Sequence, residues 1–213
     1  MAFEQIWLYA GILLAGYLIG SVPFGFLIGR MYGHDVRKEG SGNIGATNVT
    51  RVVGPLPGKV CFALDFLKGL LPVALLRIAV ARQWLPEPAG GLGEAAVTLA
   101  VVAGHMFTLF LGFKGGKGVA TAAGAIAAIS PGAALGAFLV WLAVFRCSGY
   151  VSLGSIVAAL ALPPLAWALS YSGLPALRPA MLIFFTLLAL VAVWKHRSNI
   201  RRLLDGTENR FTR

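Results

Sequence analysis

The sequence from Gln5 to Gly29 contains no charged side chain. An apolar helix of that length spans the hydrocarbon core of a bilayer, which is roughly 30 Å thick. The rest of the chain agrees, since 58% of its 213 residues are hydrophobic and only 12% are charged. Soluble domains carry roughly a quarter charged residues. We therefore predict an integral membrane protein that forms a single domain over residues 1–213.

Further apolar segments follow the first one along the chain. The long segment Val119–Phe145 is interrupted at Ser130-Pro131-Gly132, and we interpret it as two helices because two crossings put the basic turns at both of its ends on one side. The remaining predicted spans are Val60–Ile78, Ala95–Phe113, Val151–Leu169 and Ala180–Trp194. The pattern predicts an all-α, polytopic protein with about seven transmembrane helices.

The basic residues predict the orientation of the chain. The formal net charge is +10, and with seven crossings all Lys and Arg residues fall on one side except Lys68, Arg77, Arg82 and Arg178. Basic residues collect on the cytoplasmic side of a membrane, so the N-terminus is predicted outside and the C-terminus inside. These cations favour the headgroups of membrane lipid or an anionic substrate.

The stretch GSGNIGATN, residues 40–48, contains the glycine spacing of a dinucleotide-binding loop. Such a loop must join a strand to a helix, and no strand pattern precedes it, so we exclude a nucleotide site. Glycines also allow backbone amides to converge on an anion. The alternative is an ordinary cytoplasmic loop with a helix cap. The candidate anion ligands are Ser41, Gly42, Asn43, Gly45, Thr47, Asn48 and Arg51.

A second glycine-rich cluster follows the span that contains His105. The stretch FKGGKG places Lys114, Gly115, Gly116, Lys117 and Gly118 before an apolar helix, and a helix N-terminus attracts anions. It is not a Walker A loop, because Gly118 replaces the residue that binds magnesium. The alternative is a hairpin with interfacial lysines. A lone intramembrane histidine such as His105 most often forms an interhelical hydrogen bond.

Three smaller patterns complete the set. Ser152 and Ser155 open a span and are compatible with simple helix capping. In KHRSNIRRL, a helix would place His196 and Asn199 on one face and Arg197 and Arg201 on another. A basic tail on anionic lipid is the alternative interpretation there. In the second span, Asp65 and Lys68 lie three residues apart, which predicts a mutual ion pair that supports the fold, with a role in the site as the second interpretation.

Taken together, these segments resemble the PlsY family, the membrane glycerol-3-phosphate acyltransferases that use acyl phosphate. The similarity covers most of the chain, and many members have proline where this chain has Thr108. The matching stretches are GSVPFG (20–25), DVRKEGSGNIGATNVTRVVG (35–54), DFLKG (65–69), GHMFTLFLGFKGGKGVATAAG (104–124), SLGSI (152–156) and HRSNIRRLLDGTENR (196–210).

The resemblance implies a seven-helix fold in the bacterial inner membrane with the active site on the cytoplasmic face. It also implies transfer of a fatty acyl group from acyl phosphate to the sn-1 hydroxyl of glycerol 3-phosphate, with lysophosphatidic acid and inorganic phosphate as products. No acyl-CoA or acyl-carrier-protein donor, no cofactor, no metal and no nucleic acid is implied. The His-x4-Asp motif of soluble-donor acyltransferases is absent, because the corresponding positions after the three histidines hold Glu39, Phe110 and Arg201.

The resemblance also suggests roles for the candidate residues, which we expect to line one cytoplasmic pocket. His196, Asn199, Lys117 and Arg51 are the expected catalytic residues. The expected phosphate ligands are Ser41, Gly42, Asn43, Gly45, Thr47, Asn48, Lys114, Gly115, Gly116, Gly118, Ser152, Ser155 and Arg201, and the supporting residues are His105, Asp65 and Lys68.

The sequence leaves open which group takes the proton from the glycerol hydroxyl. We place Glu39 and Glu208 at the solvent edge, which leaves His196 or a phosphate oxygen of a bound substrate to take the hydroxyl proton, and we favour the phosphate oxygen.

The rival functions are an anion channel or phosphate transporter and a non-enzymatic lipid-binding scaffold. A transporter predicts paired halves, which we do not find, and a scaffold explains the cations but not the polar motifs.

Overall fold

The computed structural model describes residues 3–86, 91–170 and 179–211. Within these ranges the regular structure is helical and no strand occurs, which confirms the prediction of an all-α chain. The helices are α1 (Phe3–Ser21), α2 (Phe24–Met31), α3 (Ala46–Val52), α4 (Pro55–Ala81), α5 (Leu92–Met106), α6 (Val119–Ile129), α7 (Pro131–Ser148), α8 (Val151–Leu169), α9 (Pro179–Lys195) and α10 (Arg197–Leu204), with a 3-10 turn at Leu109–Leu111.

Four stretches are long and apolar enough to cross a membrane among the described residues: Gln5–Met31, Leu92–Leu111, Pro131–Ser148 and Val151–Leu169. A fifth candidate is the pair α9 and α10, which is bent by 56°. α4 carries charges along its length, but its 27 residues extend over about 40 Å at 1.5 Å per residue. The count of seven crossings stays a prediction.

Two of the predicted spans end earlier as helices than expected. The first span breaks after Ser21, because Pro23 lacks an amide hydrogen and restricts the residue before it. α5 ends at Met106 and does not continue to Phe113. The break before Pro131 does separate two helices, but α6 has only 11 residues, about 16 Å, which is roughly half the thickness of the apolar core.

Thr108 lies just after the end of α5, outside any helix. Its φ of −63° is the value that proline adopts, and its hydroxyl donates a hydrogen bond to the carbonyl of Ser21. The backbone conformation at this position therefore suits either residue, and in this chain the threonine side chain ties the segment after α5 to the end of α1.

The chain divides into two compact units, which are residues 1–129 and 130–213. In the first unit, helices pack at glycines so closely that a Cβ atom on Gly20 would overlap the carbonyl of Val101, and one on Gly69 would overlap the carbonyl of Thr121. Small residues allow such close packing between membrane helices. α1 runs parallel to α5, because Gly16 lies beside Val97 and Gly104 lies beside Tyr17 further along both helices.

In the second unit, α7 and α8 are antiparallel. Gly132 lies beside Leu169 at one end of the pair, and Gly154 lies beside Trp141 towards the other. The chain after α10 returns to the turn between α7 and α8, where the Phe211 amide donates to the carbonyl of Gly149 over 3.0 Å. The α7–α8 turn and the end of the described chain are thereby joined. The prediction of a single domain stays a prediction.

Candidate phosphate-binding site

The loop between α2 and α3 is organised by the side chain of Asn48. Asn48 is 1% exposed; its Oδ1 accepts a hydrogen bond from the Ser41 amide (2.8 Å), and its Nδ2 donates to the carbonyls of Val36 (2.8 Å) and Glu39 (3.0 Å). Both amide hydrogens and the oxygen of this side chain are therefore used inside the loop. Asn48 holds the loop in shape, which differs from the predicted role of its side chain as a phosphate ligand.

The glycines of this loop serve its backbone conformation. Gly40 has a φ of +61°, and a Cβ atom there would collide with the amide oxygen of Asn48. The Gly42 amide donates to the carbonyl of Glu39 over 3.0 Å, and the Gly45 amide donates to Asn43 Oδ1 over 2.8 Å. Because these amides already have partners, the expected convergence of the glycine amides on an anion is not the arrangement found at Gly42 and Gly45.

Charged residues in the first part of this loop contact one another. Arg37 donates hydrogen bonds to Asp35 at 2.8 and 2.7 Å, and these bonds hold the pKa of the Asp35 carboxyl below its ordinary value. Glu39 lies 2.9 Å from His34 Nδ1, and its side chain is 42% exposed. Glu39 therefore lies at the solvent edge, as predicted. Beyond the loop, Arg51 lies half-buried in the last turn of α3.

The second glycine-rich segment folds back on the end of α5. The Gly115 amide donates to the carbonyl of Met106 over 3.2 Å, and the Gly116 amide donates to the carbonyl of His105 over 3.1 Å. A Cβ atom on Gly116 would overlap the His105 imidazole. Both amides therefore satisfy the last carbonyls of α5, which corrects the expectation that they point at a phosphate. The candidate phosphate contacts of this segment are therefore its two lysine side chains. Lys114 is exposed and Lys117 is half-buried.

Behind this segment lies a buried polar cluster. Lys68 Nζ lies 2.7 Å from Asp65 Oδ1 and donates to the carbonyl of Val22 over 2.8 Å. The ion pair predicted from the sequence is therefore confirmed. His105 Nδ1 lies 3.5 Å from the same Asp65 oxygen, which is an electrostatic contact outside hydrogen-bond geometry. His105 thus faces a carboxylate and does not form the interhelical hydrogen bond that was expected of it.

In the second unit, a histidine and an asparagine at the bend between α9 and α10 are both buried. His196 is 2% exposed and Asn199 5% exposed, whereas Arg197 and Arg201 are exposed. The two pairs therefore lie on different faces, as the helical pattern predicted. His196 Nδ1 lies 2.8 Å from the carbonyl of Ala192. A carbonyl only accepts hydrogen bonds, so Nδ1 carries the hydrogen and Nε2 of the neutral ring is an acceptor.

Glu208 joins three parts of this unit, which the sequence did not predict. Its Oε1 accepts hydrogen bonds from Ser152 Oγ and Asn199 Nδ2, both over 2.7 Å, and its Oε2 accepts one from Arg202 Nε over 2.7 Å. The Glu208 side chain is 7% exposed, so its placement at the solvent edge was wrong. The sequence signal was the turn at Asp205-Gly206, where the φ of +69° at Gly206 returns the chain.

The two candidate serines of α8 have different partners. Ser152 Oγ donates to Glu208, whereas Ser155 Oγ donates to the carbonyl of Val151 one turn earlier in its own helix, over 2.9 Å. Both serines are buried. Ser152 is thus linked to Asn199 through one carboxylate oxygen, and Ser155 is not part of that link. Arg201 lies on the exposed face of α10, 4.0 Å from Asp205.

A sequence model of the family described as "Glycerol-3-phosphate acyltransferase" matches residues 10–206. The chain belongs to that family. A glycerol-3-phosphate acyltransferase of Desulforamulus reducens is 50% identical over 198 residues, which are 92% of this chain and 92% of the relative. Two solved structures of PlsY (YgiH), an integral membrane glycerol 3-phosphate acyltransferase, are also similar.

The likeness to PlsY extends over nearly the whole of each chain. The glycerol 3-phosphate form of PlsY is 41% identical with a TM-score of 0.84, and each chain is covered to 96%. The lysophosphatidic acid form is 40% identical with a TM-score of 0.81, covering 96% of this chain and 95% of that one. This glycerol-3-phosphate acyltransferase family member is therefore a multi-pass membrane protein, in keeping with its apolar helices.

For this member of the acyltransferase family, we predict that acid releases the segment after α10. Burial raises the pKa of the Glu208 carboxyl, but the hydrogen bonds from Ser152, Asn199 and Arg202 lower it more, so its pKa lies below the ordinary 4.5. A carboxyl with a lowered pKa stabilises the fold above pH 4.5 and loses that contribution as the pH falls further.

The thermal midpoint of the detergent-solubilised protein, measured from neutral pH down to pH about 3, tests this prediction. Glu208→Gln should be less stable near neutral pH and should show a weaker loss of stability in acid. Asp205→Asn is the matched control, because the Asp205 side chain is 59% exposed. A Glu208→Gln variant with the wild-type pH profile would contradict the prediction.

Proposed function

We propose that this protein transfers a fatty acyl group from acyl phosphate to the sn-1 hydroxyl of glycerol 3-phosphate, giving lysophosphatidic acid and inorganic phosphate. The family match carries the proposal, because the matched residues 10–206 contain every residue assigned to the site, from Ser41 to Arg201. The solved relatives in glycerol 3-phosphate and lysophosphatidic acid forms support the acceptor and the product. The reaction would form the first intermediate of bacterial phospholipid synthesis.

The proposed setting is the inner membrane of a bacterium, with seven crossings, the N-terminus outside and the active site on the cytoplasmic face. The directions of the helices in the first unit support this topology. α1 runs parallel to α5, whereas α4 runs antiparallel to α5, since Asp65 faces His105 and Arg77 faces Glu94. Alternating crossings give these directions, and they put the segments after α1 and after α5 at the same side.

The chemistry requires that two anions be brought together. Both substrates carry phosphate, so cations must offset their mutual repulsion and raise their local concentration. We assign this role to Arg51 and Lys117, with Ser41, Asn43, Thr47 and Lys114 as further donors. Asn48, Gly115 and Gly116 enter the proposal as residues that shape the loops, because their polar groups already have partners within the protein.

The proposed acyl transfer is a direct attack. The sn-1 oxygen of glycerol 3-phosphate bonds to the carbonyl carbon, the bond between that carbon and the bridging phosphate oxygen breaks, and phosphate leaves with the electron pair. An acyl phosphate is a mixed anhydride that is already activated, so no acyl-enzyme is needed. Cys61 is buried beside Asp65, with Sγ 3.7 Å from Oδ2, and Cys147 lies outside the matched motifs, so neither is assigned as a nucleophile.

We assign the hydroxyl proton to a phosphate oxygen of a bound substrate. His196 then positions the glycerol, because its Nε2 is an acceptor for a hydroxyl hydrogen while Nδ1 is held by the carbonyl of Ala192. Asn199, which Glu208 holds from one side, is the second positioning group. A carbonyl stabilises a protonated imidazole less than a carboxylate does, which supports a positioning role for His196 over that of a base.

The decisive experiment is an assay of the purified protein with palmitoyl phosphate and glycerol 3-phosphate in lipid nanodiscs. Phosphate release should depend on glycerol 3-phosphate and match the lysophosphatidic acid formed. Palmitoyl-CoA in place of palmitoyl phosphate should give no product. Phosphate release that is independent of glycerol 3-phosphate would overturn the acyltransferase proposal, and product formed from palmitoyl-CoA would overturn the choice of donor.

A further inference from the structure

The cluster of Asp65, Lys68 and His105 is buried although two of its members form an ion pair. Their exposures are 2%, 4% and 4%, and they come from two helices, α4 and α5. An ion pair buried in apolar surroundings adds little net stability, because desolvation offsets the attraction between the charges. The net stability that the ion pair contributes therefore does not account for the cluster.

His105 links this cluster to the glycine-rich segment on the other side of its ring. Nδ1 faces Asp65 Oδ1 at 3.5 Å, and the Nε2 edge occupies the place where a Cβ atom of Gly116 would lie. The backbone carbonyl of His105 also accepts a hydrogen bond from the Gly116 amide over 3.1 Å. The imidazole thus lies between the Asp65 carboxylate of α4 and the backbone of Gly116, the residue next to Lys117.

The carboxylate also orients the ring. A carboxylate oxygen attracts an N–H and repels a nitrogen lone pair, so the Nδ1 that faces Asp65 Oδ1 carries the hydrogen, and this attraction favours the observed orientation of the ring. The Lys68 ammonium lies 2.7 Å from the same Asp65 oxygen and itself donates to the carbonyl of Val22. Lys68, Asp65 and His105 form a continuous chain of contacts from the end of α1 to the Gly115–Lys117 segment.

We propose that His105, oriented by Asp65 and Lys68, is a positioning residue that sets where the Lys114–Gly118 segment lies and thereby places Lys117 on a substrate phosphate. The proposal rests on the proposed function for the role of Lys117, but the placement of the segment does not. His105 touches no reacting group in this assignment. Loss of its support should weaken phosphate binding and leave the chemical step largely intact.

The test compares two replacements of His105 in the full-length protein in nanodiscs. His105→Phe keeps a ring but removes the donor that faces Asp65, and we expect KM for one phosphate substrate to rise about tenfold with kcat changed by less than about threefold. His105→Asn keeps an N–H donor for Asp65 and should restore most of the affinity. Hydrogen exchange of the peptide covering residues 107–118 should be faster in His105→Phe and near the wild-type rate in His105→Asn.

Two further variants complete the design. Thr98→Val on α5 is the matched control, because Thr98 is fully buried and its hydroxyl has no hydrogen-bond partner among the described residues; it should change neither readout. If His105→Phe does not fold, the double variant Asp65→Leu with Lys68→Met removes the support without leaving one buried charge unpaired. It should accelerate exchange of the same peptide and raise the same KM.

Each outcome decides the proposal. Wild-type KM values and wild-type exchange in folded His105→Phe or in the double variant would overturn it, and so would a fall in kcat with unchanged KM, which indicates a catalytic role. A wild-type protein without acyltransferase activity would overturn the proposed function instead. The exchange measurement would still test the support of the segment in that case, because it does not depend on turnover.

Discussion

Replacing His196 by alanine is expected to lower kcat/KM for glycerol 3-phosphate by about a hundredfold, which is the typical cost of losing a group that orients a reactant. The His196 side chain is almost fully buried at the 56° bend between α9 and α10, so its removal leaves space in which the glycerol can adopt unproductive positions. Glutamine offers an acceptor at a similar reach but takes up no proton near neutral pH. His196→Gln should therefore retain turnover within about tenfold of the wild type.

Steady-state phosphate release with both substrates varied separates these expectations. Ser198→Ala is the control on the same helix, because Ser198 is exposed and has no assigned role. If His196→Gln binds glycerol 3-phosphate normally but loses several orders of magnitude in kcat, then His196 is the general base and proton transfer is not substrate-assisted.

Replacing Arg51 or Lys117 by alanine is expected to raise KM for a phosphate substrate by about tenfold to a hundredfold. A hydrogen bond between a cationic side chain and phosphate contributes about 1.5–3 kcal/mol, and that range converts to this change in affinity. Arg51→Lys should recover only part of the loss, because the ammonium cannot make the two parallel hydrogen bonds of a guanidinium. Kinetics with each substrate varied in turn will also show which phosphate each cation binds.

Lys59→Ala is the matched control for both variants, since it removes a positive charge from an exposed position near the start of α4. It should alter KM little, which separates a specific contact from the general attraction of a basic surface. Well-expressed Arg51→Ala and Lys117→Ala proteins with unchanged kinetics would remove both cations from the proposed pocket.

Local patterns were enough for several features of the chain. Long apolar runs and turn residues predicted most of the helices, although not α3, and Pro131 marked the division between α6 and α7. A spacing of three residues predicted the pair of Asp65 and Lys68, because residues three apart share one face of a helix. The same periodicity predicted that His196 and Asn199 share one face and that Arg197 and Arg201 share another. Each of these predictions depends only on neighbours in the sequence.

The sequence also indicated the family, because the long motifs are contiguous stretches of residues that can be recognised without knowing the three-dimensional structure. What it could not determine was the hydrogen-bond partner of each polar group. The amides of Gly115 and Gly116 were expected to face an anion, but the last carbonyls of α5 accept their hydrogens. Asn48 was expected to bind phosphate, but carbonyls nine and twelve residues away occupy its amide hydrogens.

The hydrogen-bond partners of Glu208 could not be predicted either, because one of them is far away in the sequence. Only the return of the chain after Gly206 brings its carboxylate to Ser152, 56 residues away in the sequence, and converts a residue expected at the solvent edge into the centre of a buried polar cluster. A buried polar group must find a partner, and burial is set by the packing of whole helices. The sequence by itself therefore determined where most of the helices form and which neighbouring polar residues share a face. The tertiary structure decided which polar groups are used to hold the protein together and which can serve a substrate.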